Sequence, residues 1–238
     1  ELSFETYASA STITRFCRKL EVDGFTDLKL QLAKELNTYA LSDSRIAQDT
    51  PFSKLASPQE IASSIMNLNI QSILDTYNSI DIDNLLKVAK DIKAYDEINF
   101  YGRGQSLILC EEFQYKLLRI GIDSNVIIQE GFQKMKSAAQ NKNSLTIMIS
   151  YYGDSEHNLT ILKTLKKRNM KTILITGPHQ NALTPLADTV VRIPSQEKLA
   201  NKMASYSSRA AMQLVIDIIY ALVFSFDYDQ NLEYVKVL

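Results

Sequence analysis

Residues 145–176 read LTIMISYYGDSEHNLTILKTLKKRNMKTILIT, and they join two short apolar runs through a polar turn and an amphipathic stretch. Both apolar runs carry isoleucine and threonine, which is typical of buried β-strands. The stretch between them, from Ser155 to about Arg168, spaces its apolar residues with the period of a helix. A strand, a helix and a second strand in this order predict a βαβ unit with parallel strands.

The same alternation continues on both sides of this unit, beginning at Glu97. The predicted strands are 97–102, 125–129, 145–150, 171–176 and 189–193. The predicted helices are 105–120, 132–140, 155–168, a short piece near 182–187, and a final helix from Lys198 to about Asp227. The pattern predicts an α/β fold with a five-stranded parallel sheet. Ligands of such sheets bind beyond the carboxyl ends of the strands, so a site is expected in the loops that follow them.

Before Glu97 the sequence pattern predicts helices and no strands. Ser9 is expected to cap a helix that ends near Leu20, and a second helix is predicted for residues 26–39. Residues 41–59 are polar and without a clear period, so we interpret them as a linker. The predicted domains are an N-terminal helical segment at 1–40, the linker at 41–59 and an α/β domain at 60–238.

Two further helices are predicted before Glu97. One is predicted to begin at Pro58, with Ile61, Ile65, Leu68 and Ile73 on one side. Another is predicted over residues 83–95. The apolar run Ala211–Phe226 contains Asp217 and is shorter than the roughly 20 residues that span a membrane. We therefore expect no membrane partner and interpret this run as a core helix or as part of an interface between subunits.

The composition narrows the class of protein. The 238 residues carry a net charge of −1, with 45% hydrophobic and 22% charged residues, which is ordinary for a soluble globular protein. That charge gives no global attraction to nucleic acid, so such a partner must meet a local patch. The two cysteines, Cys17 and Cys110, lack the spacing of a disulfide framework or a metal site. We expect a reducing, cytoplasmic location, no metal and no cofactor.

A local basic patch occurs in SASTITRFCRKL, residues 9–20. Ile13, Phe16, Cys17 and Leu20 recur at helical spacing and predict an apolar face. The other side carries hydroxyl groups and three basic groups with no acid. Its candidate DNA-binding residues are Ser11, Thr12, Thr14, Arg15, Arg18 and Lys19. Arginine reads guanine edges and hydroxyl groups hold phosphates, so this face suits the major groove of DNA. An ordinary solvated helix face is the alternative interpretation.

The loop after the first predicted strand is suited to hold an anion. It lies in NFYGRGQS, residues 99–106. Gly102 and Gly104 let the backbone approach a ligand, and Ser106 lies at the start of a helix, where free N–H groups attract anions. A tight turn without a ligand would carry the same glycines.

The loop after the third predicted strand has similar chemistry. It reads SYYGDS, residues 150–155, and it offers Ser150, Gly153 and Ser155 at the start of another helix. Tyr152 introduces a bulky side chain into the same turn. The sequence leaves open whether this turn still holds a phosphate.

The segment STITRFCRKLEVDGFTDLKLQLAKEL, residues 11–36, resembles the recognition helix and the following helix of RpiR-type bacterial transcription regulators. Ser9, two positions before this segment, also matches the family pattern. Within the segment the matching residues are Thr12, Ile13, Arg15, Phe16, Lys19, Leu20, Gly24, Phe25, Asp27, Leu28 and Lys29. Glu21 departs from the glycine that the family usually has. The resemblance implies a helix-turn-helix domain that binds an operator. It also implies that the first helices of this domain lie upstream of Glu1, so that the chain is truncated at its N-terminus.

In that family a sugar-isomerase-type (SIS) domain follows, and the rest of this chain resembles it. The resemblance implies a three-layer sandwich and a sugar-phosphate site. The site residues that it implies are Gly102, Gly104, Ser106, Ser150, Tyr152, Gly153, Ser155 and Glu197. Tyr152 replaces a serine that binds phosphate in the family, so it could donate its phenol to the ligand, fold across the pocket or plug it. Glu197 lies near a glutamate that moves a proton in isomerase members, and it could do the same or hydrogen-bond a sugar hydroxyl.

Three functions remain open at this point. The leading interpretation is a DNA-binding transcription regulator of sugar metabolism, without catalytic residues, that senses a sugar phosphate as a homodimer or homotetramer. The second is an aldose–ketose phosphosugar isomerase that uses Glu197 with His157 or His179, although an isomerase has no use for a recognition helix. The third is a regulator whose sugar site is degenerate, because Tyr152 fills it.

Overall fold

The computed structural model describes residues 9–20, 22–29 and 46–237. The chain folds as two compact units, Glu1–Ile46 and Ala47–Leu238. Most of the predicted helix at 26–39 and the first part of the predicted linker at 41–59 lie outside the described residues.

The first unit contains the helix α1 (Ala10–Lys19). Ser9 caps it as predicted, because its hydroxyl oxygen accepts the Thr12 N–H at 3.3 Å. A short helical stretch follows at residues 25–29.

The buried side of α1 is narrower than the sequence predicts. Cys17 is fully buried and packs with Val22 and Leu28. Phe16 and Leu20 of the predicted apolar face are 54% and 49% exposed. Among the described residues, those that cover α1 meet the side of the helix that carries Cys17.

A five-stranded parallel sheet forms the centre of the second unit, in the order β2-β1-β3-β4-β5. Its strands are β1 (Glu97–Tyr101), β2 (Asn125–Val126), β3 (Ser144–Ile149), β4 (Lys171–Thr176) and β5 (Thr189–Arg192). The predicted parallel sheet is therefore confirmed. β2 is shorter than the predicted 125–129, because the Ile127 carbonyl accepts the Gln133 side-chain amide at 2.7 Å instead of pairing in the sheet.

Helices cover both faces of this sheet. They are α2 (Pro58–Ser79), α3 (Ile82–Ala94), α4 (Gln105–Leu118), α5 (Glu130–Ala139), α6 (Glu156–Lys167), α7 (Ser207–Phe226) and α8 (Tyr228–Val237). A single 3₁₀ turn, Thr184–Leu186, stands where a short helical piece was predicted near 182–187.

The alternation of side chains along β3 builds the two sides of the core. Leu145, Ile147 and Ile149 pack on one face with α3, α4 and α7. Met148 packs on the opposite face against α6. Every residue of β3 is buried, and its two polar side chains, Ser144 and Thr146, both accept hydrogen bonds from the Gln140 side-chain amide. The second unit is thus a sandwich of helices, sheet and helices.

α7 is a core helix of this unit. By length and composition alone it could cross a membrane, but it packs against α2, α3 and α4. Val215, Ile216 and Ile219 are fully buried within the unit. A single apolar helix of this kind is weak evidence for a membrane span, because core helices have the same composition.

The predicted final helix begins too early. Residues 198–206 are not helical, and α7 starts at Ser207. Asn201 adopts a left-handed backbone angle, φ 65°, which interrupts a helix. The N–H groups of Lys198 and Met203 donate to Asp49 rather than along a helix. After α7, the sequence did not predict α8.

α2 begins as predicted, and Leu68 of its predicted apolar side is buried. Pro58 is its first residue, and Ser57 and Glu60 form a capping box. Its buried residues are Leu68, Ser72 and Thr76. Ile73, which was predicted on the same side as Leu68, is 41% exposed. The buried face includes Ser72 instead, whose hydroxyl donates to Ser207 Oγ at 2.8 Å at the start of α7.

Part of the predicted linker belongs to the second unit. Residues 47–57 lie in that unit, and Gln48 and Asp49 are hydrogen-bonded to residues 195–203. The domain boundaries given above stay predictions.

The two-sided burial of β3 makes its side chains expensive to truncate. We expect Leu145→Ala to lower the free energy of unfolding by about 2–5 kcal/mol, because it leaves a cavity between β3 and the helices. Urea denaturation measures this change. Leu55→Ala is the matched control, since Leu55 is 93% exposed and its truncation should change stability by less than about 0.5 kcal/mol. Equal effects of the two substitutions would contradict the assigned core.

Candidate functional site

The strand order creates a crevice between β1 and β3. The chain leaves β1 toward β2 on one side and returns to β3 on the other, so the loops after β1 and β3 diverge. A cavity of about 530 Å³ lies at the carboxyl ends of these two strands. It is lined by the loop after β1, the loop after β3, the segment before α7 and the first turn of α7.

The loop after β1 opens the N-terminus of α4 toward the cavity. Gly104 precedes α4 with φ 53°, a left-handed angle that favours glycine, and it has no side chain to cap the helix. Ser106 lies in the first turn and lines the cavity. Gly102 does not line the cavity, but a Cβ there would lie 3.0 Å from the Ser106 backbone carbon, so it permits the close turn.

The loop after β3 places hydroxyl groups on the opposite wall. Ser150 is buried at the end of β3 and accepts the Asn158 side-chain amide at 3.2 Å. Ser155 is the N-cap of α6. Both serines line the cavity.

Gly153 supports this loop from behind rather than touching the cavity. Its φ of 67° favours glycine, and a Cβ would lie only 2.1 Å from the Asn181 side chain. Asn181 in turn holds Thr176 at the end of β4 through a 3.0 Å hydrogen bond. The glycine therefore fixes the loop by allowing Asn181 to pack against it.

Tyr152 spans the cavity wall instead of filling the cavity. Its hydroxyl donates to the Lys198 carbonyl at 2.7 Å and accepts from Lys202 Nζ at 2.9 Å. Its ring packs edge-to-face on Tyr151, with centroids 4.7 Å apart. Of the three roles open to it, this arrangement fits a side chain that folds across the pocket and leaves an open volume beside it.

Three cations line the cavity: Arg103, Lys202 and Arg209. Arg103 donates to Glu130 at 2.6 Å and to Ser155 Oγ at 3.1 Å. Its hydrogen bond and charge hold the pKa of Glu130 below its usual range.

Lys202 stays charged despite its partial burial. Burial alone would lower the pKa of Lys202, but its hydrogen bond to Tyr152 and the nearby Glu197 carboxylate raise that pKa above its usual value. Arg209 lies in the first turn of α7, and among the described residues no carboxylate pairs with it. The cavity wall thus carries these three cations together with the carboxylates of Glu130 and Asp154.

Glu197 is fully engaged and does not line the cavity. Its carboxylate accepts the Ser208 N–H at 3.0 Å, the Ser208 hydroxyl at 2.6 Å and Lys202 at 3.4 Å. The side chain has no exposed surface. In this arrangement Glu197 caps the start of α7 and positions Lys202, so its predicted contact with a sugar stays untested.

Neither histidine lines the cavity. His157 lies in α6 with its Nε2 2.9 Å from Gln133 Oε1, and burial lowers its pKa. Gln133 also donates to the Gly102 carbonyl at 3.0 Å, so His157 supports the first loop indirectly. His179 lies in the loop after β4.

Five of the eight predicted ligand residues line one cavity, namely Gly104, Ser106, Ser150, Tyr152 and Ser155. Sequence reasoning missed the cations Arg103, Lys202 and Arg209. Arg103 was within reach, because it stands between the two glycines of the first loop. Lys202 and Arg209 were hidden, because the segment before α7 was predicted as plain helix.

The candidate DNA-binding residues lie on the open side of α1. All six, Ser11, Thr12, Thr14, Arg15, Arg18 and Lys19, are exposed. The Ser11 and Thr12 hydroxyls both hydrogen-bond with Ser9, at 2.8 and 2.9 Å. The basic side chains of Arg18 and Lys19 lie in the last turn, where a positive charge interacts favourably with the negative end of the helix dipole.

Models of protein families match both parts of the chain. The model of the SIS domain matches residues 92–222. The model described as helix-turn-helix domain, rpiR family, matches residues 1–39.

Individual proteins that resemble this chain are also regulators or SIS-type structures. A helix-turn-helix-type transcriptional regulator of Haemophilus influenzae is 28% identical over 94% of this chain and 77% of its own length. The structure of the Vibrio vulnificus NanR protein complexed with ManNAc-6P has a TM-score of 0.68 and 20% identity, covering 99% of this chain and 81% of that one. The sugar isomerase domain of an RpiR transcription factor from Sphaerobacter thermophilus has a TM-score of 0.67 and 16% identity, covering 75% and 97%. The predicted SIS-type fold is therefore confirmed.

The bridge formed by Tyr152 predicts a local effect of its hydroxyl. Tyr152→Phe keeps the ring but removes the bonds to Lys198 and Lys202. We expect faster amide hydrogen exchange across residues 198–206 and a stability loss of about 1–2 kcal/mol. Tyr77→Phe, at a 65% exposed tyrosine of α2, is the control. Unchanged exchange in the Tyr152 variant would show that the bridge does not hold the segment.

Proposed function

The chain belongs to the rpiR family of helix-turn-helix regulators with a SIS domain, and we propose that it binds DNA and senses a sugar phosphate in the cavity between β1 and β3. The observation that carries this proposal is the cavity itself. It combines an uncapped helix N-terminus, serine hydroxyls from two loops and three cations in one enclosure.

These groups suit the phosphate end of such a ligand. The free backbone N–H groups at the N-terminus of α4 and the dipole of this helix both favour an anion at that end of the helix. We propose that Gly104, Ser106, Ser150, Tyr152 and Ser155 contact the ligand, with Arg103, Lys202 or Arg209 balancing its charge. Gly102 and Gly153 act by shaping the loops, and Glu197 acts through Lys202 and Ser208.

Sensing is favoured over catalysis by the family and by the engaged state of Glu197. An isomerase needs a free acid or base beside the sugar carbons. Among the described residues, both histidines and Glu197 lie off the cavity wall, and of the two carboxylates that line it, Glu130 is paired with Arg103 and Asp154 is exposed in the loop after β3. The named relative from Haemophilus influenzae is also a transcriptional regulator. We therefore propose that the chain binds a sugar phosphate without converting it.

The exposed face of α1 is the proposed contact with DNA. Its three basic groups can meet phosphates or guanine edges, and its hydroxyls can meet phosphates. We propose that the protein works in the cytoplasm as a homodimer or homotetramer, because operator half-sites mirror the two-fold symmetry of the protein that reads them.

A degenerate sugar site is the second candidate function. Tyr152 favours it, because the phenol replaces a small hydroxyl and is already hydrogen-bonded to Lys198 and Lys202. In that case the second unit would serve assembly alone.

A thermal melt against sugar phosphates separates these candidates. The panel contains N-acetylmannosamine 6-phosphate, arabinose 5-phosphate, glucose 6-phosphate and glucosamine 6-phosphate. A ligand at about 100 times its Kd stabilises the folded state by roughly 2.7 kcal/mol, which for a chain of this size raises Tm by about 5–10 °C. We expect such a shift with one member.

Ser106→Ala should abolish that shift, because it removes a hydroxyl from the cavity wall. Ser63→Ala, on the exposed side of α2, is the matched control and should keep it. The absence of any shift in the unaltered chain would favour the degenerate site. Conversion of the bound sugar, followed by NMR, would instead support an isomerase.

The basic face of α1 predicts graded losses of DNA binding. A duplex selected by the chain from a random pool serves as the probe. Arg15→Ala or Arg18→Ala should weaken binding by about 1–3 kcal/mol where the side chain reads a base, and should reduce the salt dependence where it meets a phosphate. Lys54→Ala, at an exposed lysine of the second unit, should bind as the unaltered chain does. Full affinity in both arginine variants would rule out α1 as the contact.

A further inference from the structure

Two consecutive residues hold the segment that forms one wall of the cavity. Gln48 Oε1 accepts the Gln196 N–H at 2.7 Å and the Ser195 hydroxyl at 3.3 Å. Asp49 Oδ1 accepts the Lys198 N–H at 2.8 Å. The Asp49 carbonyl accepts the Met203 N–H at 2.9 Å. We refer to Gln48 and Asp49 with these four hydrogen bonds as the clasp.

The other side of the same segment meets the cavity. Leu199 and Lys202 line the cavity, and Tyr152 from the loop after β3 holds Lys198 and Lys202. The Tyr151 hydroxyl donates to the Ser195 carbonyl at 2.7 Å. Residues 195–203 are thus held by the loop after β3 on one side and by the clasp on the other.

This segment depends on such external contacts. Residues 194–206 belong to neither a helix nor a strand, so their backbone N–H groups find partners elsewhere. Gln196, Lys198 and Met203 find them in the clasp. Lys202 lies in the cavity wall between Lys198 and Met203, whose N–H groups both donate to Asp49, so the clasp holds the backbone on both sides of this cation.

The clasp also has a special place in the sequence. Gln48 and Asp49 are among the first residues of the second unit, and they follow the DNA-binding unit along the chain. The matched SIS domain begins much later, at residue 92. Of the described residues, those of the clasp connect the cavity wall to the part of the chain that leads to the DNA-binding unit.

We propose that Gln48 and Asp49 are positioning residues that couple occupancy of the cavity to DNA binding. The inference rests on the proposed function, because it needs a ligand in the cavity and DNA on the first unit. Coupling of this kind is reciprocal, so the ligand changes DNA affinity by the same factor by which DNA changes ligand affinity.

The test compares coupling rather than affinity alone. The ligand probe is the panel sugar phosphate that gives the largest melt shift, and the DNA probe is the selected duplex. The Kd for DNA is measured without ligand and at saturating ligand, and the ratio of the two values is the coupling factor. For the unaltered chain we expect a factor of about 5–150.

The variant Gln48→Met/Asp49→Leu removes the side-chain acceptors while keeping similar volumes. We expect it to weaken ligand binding by about 10-fold. We also expect its coupling factor to fall to within about twofold of 1, even at ligand concentrations that restore saturation. A purely structural role would weaken the ligand but leave the factor at saturation unchanged, and that result would overturn the inference.

Two control variants distinguish a specific loss of coupling from a general loss of folded structure. Gln48→Glu/Asp49→Asn keeps an acceptor oxygen on each side chain and should retain the coupling factor. Asn84→Leu removes a 2.9 Å side-chain bond to the Val190 carbonyl, away from the cavity, and should also retain it. Loss of coupling in either control would overturn the specific role of the clasp.

The remaining outcomes separate this inference from the proposed function. If the unaltered chain binds no panel member, the proposed sensing function fails and the inference fails with it. If it binds a sugar phosphate but DNA affinity does not change, sensing in the cavity stands and the coupling is overturned. Amide exchange at Gln196 and Lys198 gives a second readout, since their N–H groups donate to the two side chains that are replaced. Ligand should slow it in the unaltered chain and not in the Gln48→Met/Asp49→Leu variant.

Discussion

The position of β1 between β2 and β3 is the constraint on which the site depends. Because the chain leaves β1 in one direction and enters β3 from the other, no connection covers the carboxyl ends of these two strands. The loops that begin at Gly102 and Ser150 can therefore face each other across an open crevice. Everything else at the site, from the glycines to the cations, fills or lines a space that the strand order leaves open.

The sequence predicts the elements on both sides of this crevice well, for a physical reason. β3 and β4 are buried on both faces, so nearly every side chain in them is apolar or small and the pattern is unmistakable. The roles of the glycines and serines in the two loops can also be predicted from the sequence. A left-handed backbone angle, as at Gly104, favours glycine, and a helix N-cap, as at Ser155, favours serine. The wall between Glu197 and Ser207 is different. Its form is set by Asn201, by Asp49 and by Tyr152, two of which are distant in the sequence, so local periodicity cannot reveal it.

Tyr152 illustrates how a change in one loop is absorbed by another. The phenol reaches beyond its own turn, and its oxygen meets Lys198 and Lys202. Lys202 is held near the cavity by Tyr152 and by Glu197 together. The tyrosine thus fixes a cation at the cavity wall, and hydrogen bonds from a charged group are stronger than those from a neutral hydroxyl.

The wall between Glu197 and Ser207 is held differently from the core, since its apolar side chains Leu199 and Met203 are exposed. Ile147 and Ile216 lie in elements whose movement would break the packing of the core, which is costly. The wall has few buried apolar contacts and is positioned by individual hydrogen bonds, each worth only about 0.5–1.5 kcal/mol. A ligand can shift an equilibrium only by its difference in affinity for the two states, which is a few kcal/mol for an ordinary effector. A segment of low local stability that lines the cavity and also contacts the start of the second unit is therefore the place where the proposed binding would be converted into a change elsewhere in the chain.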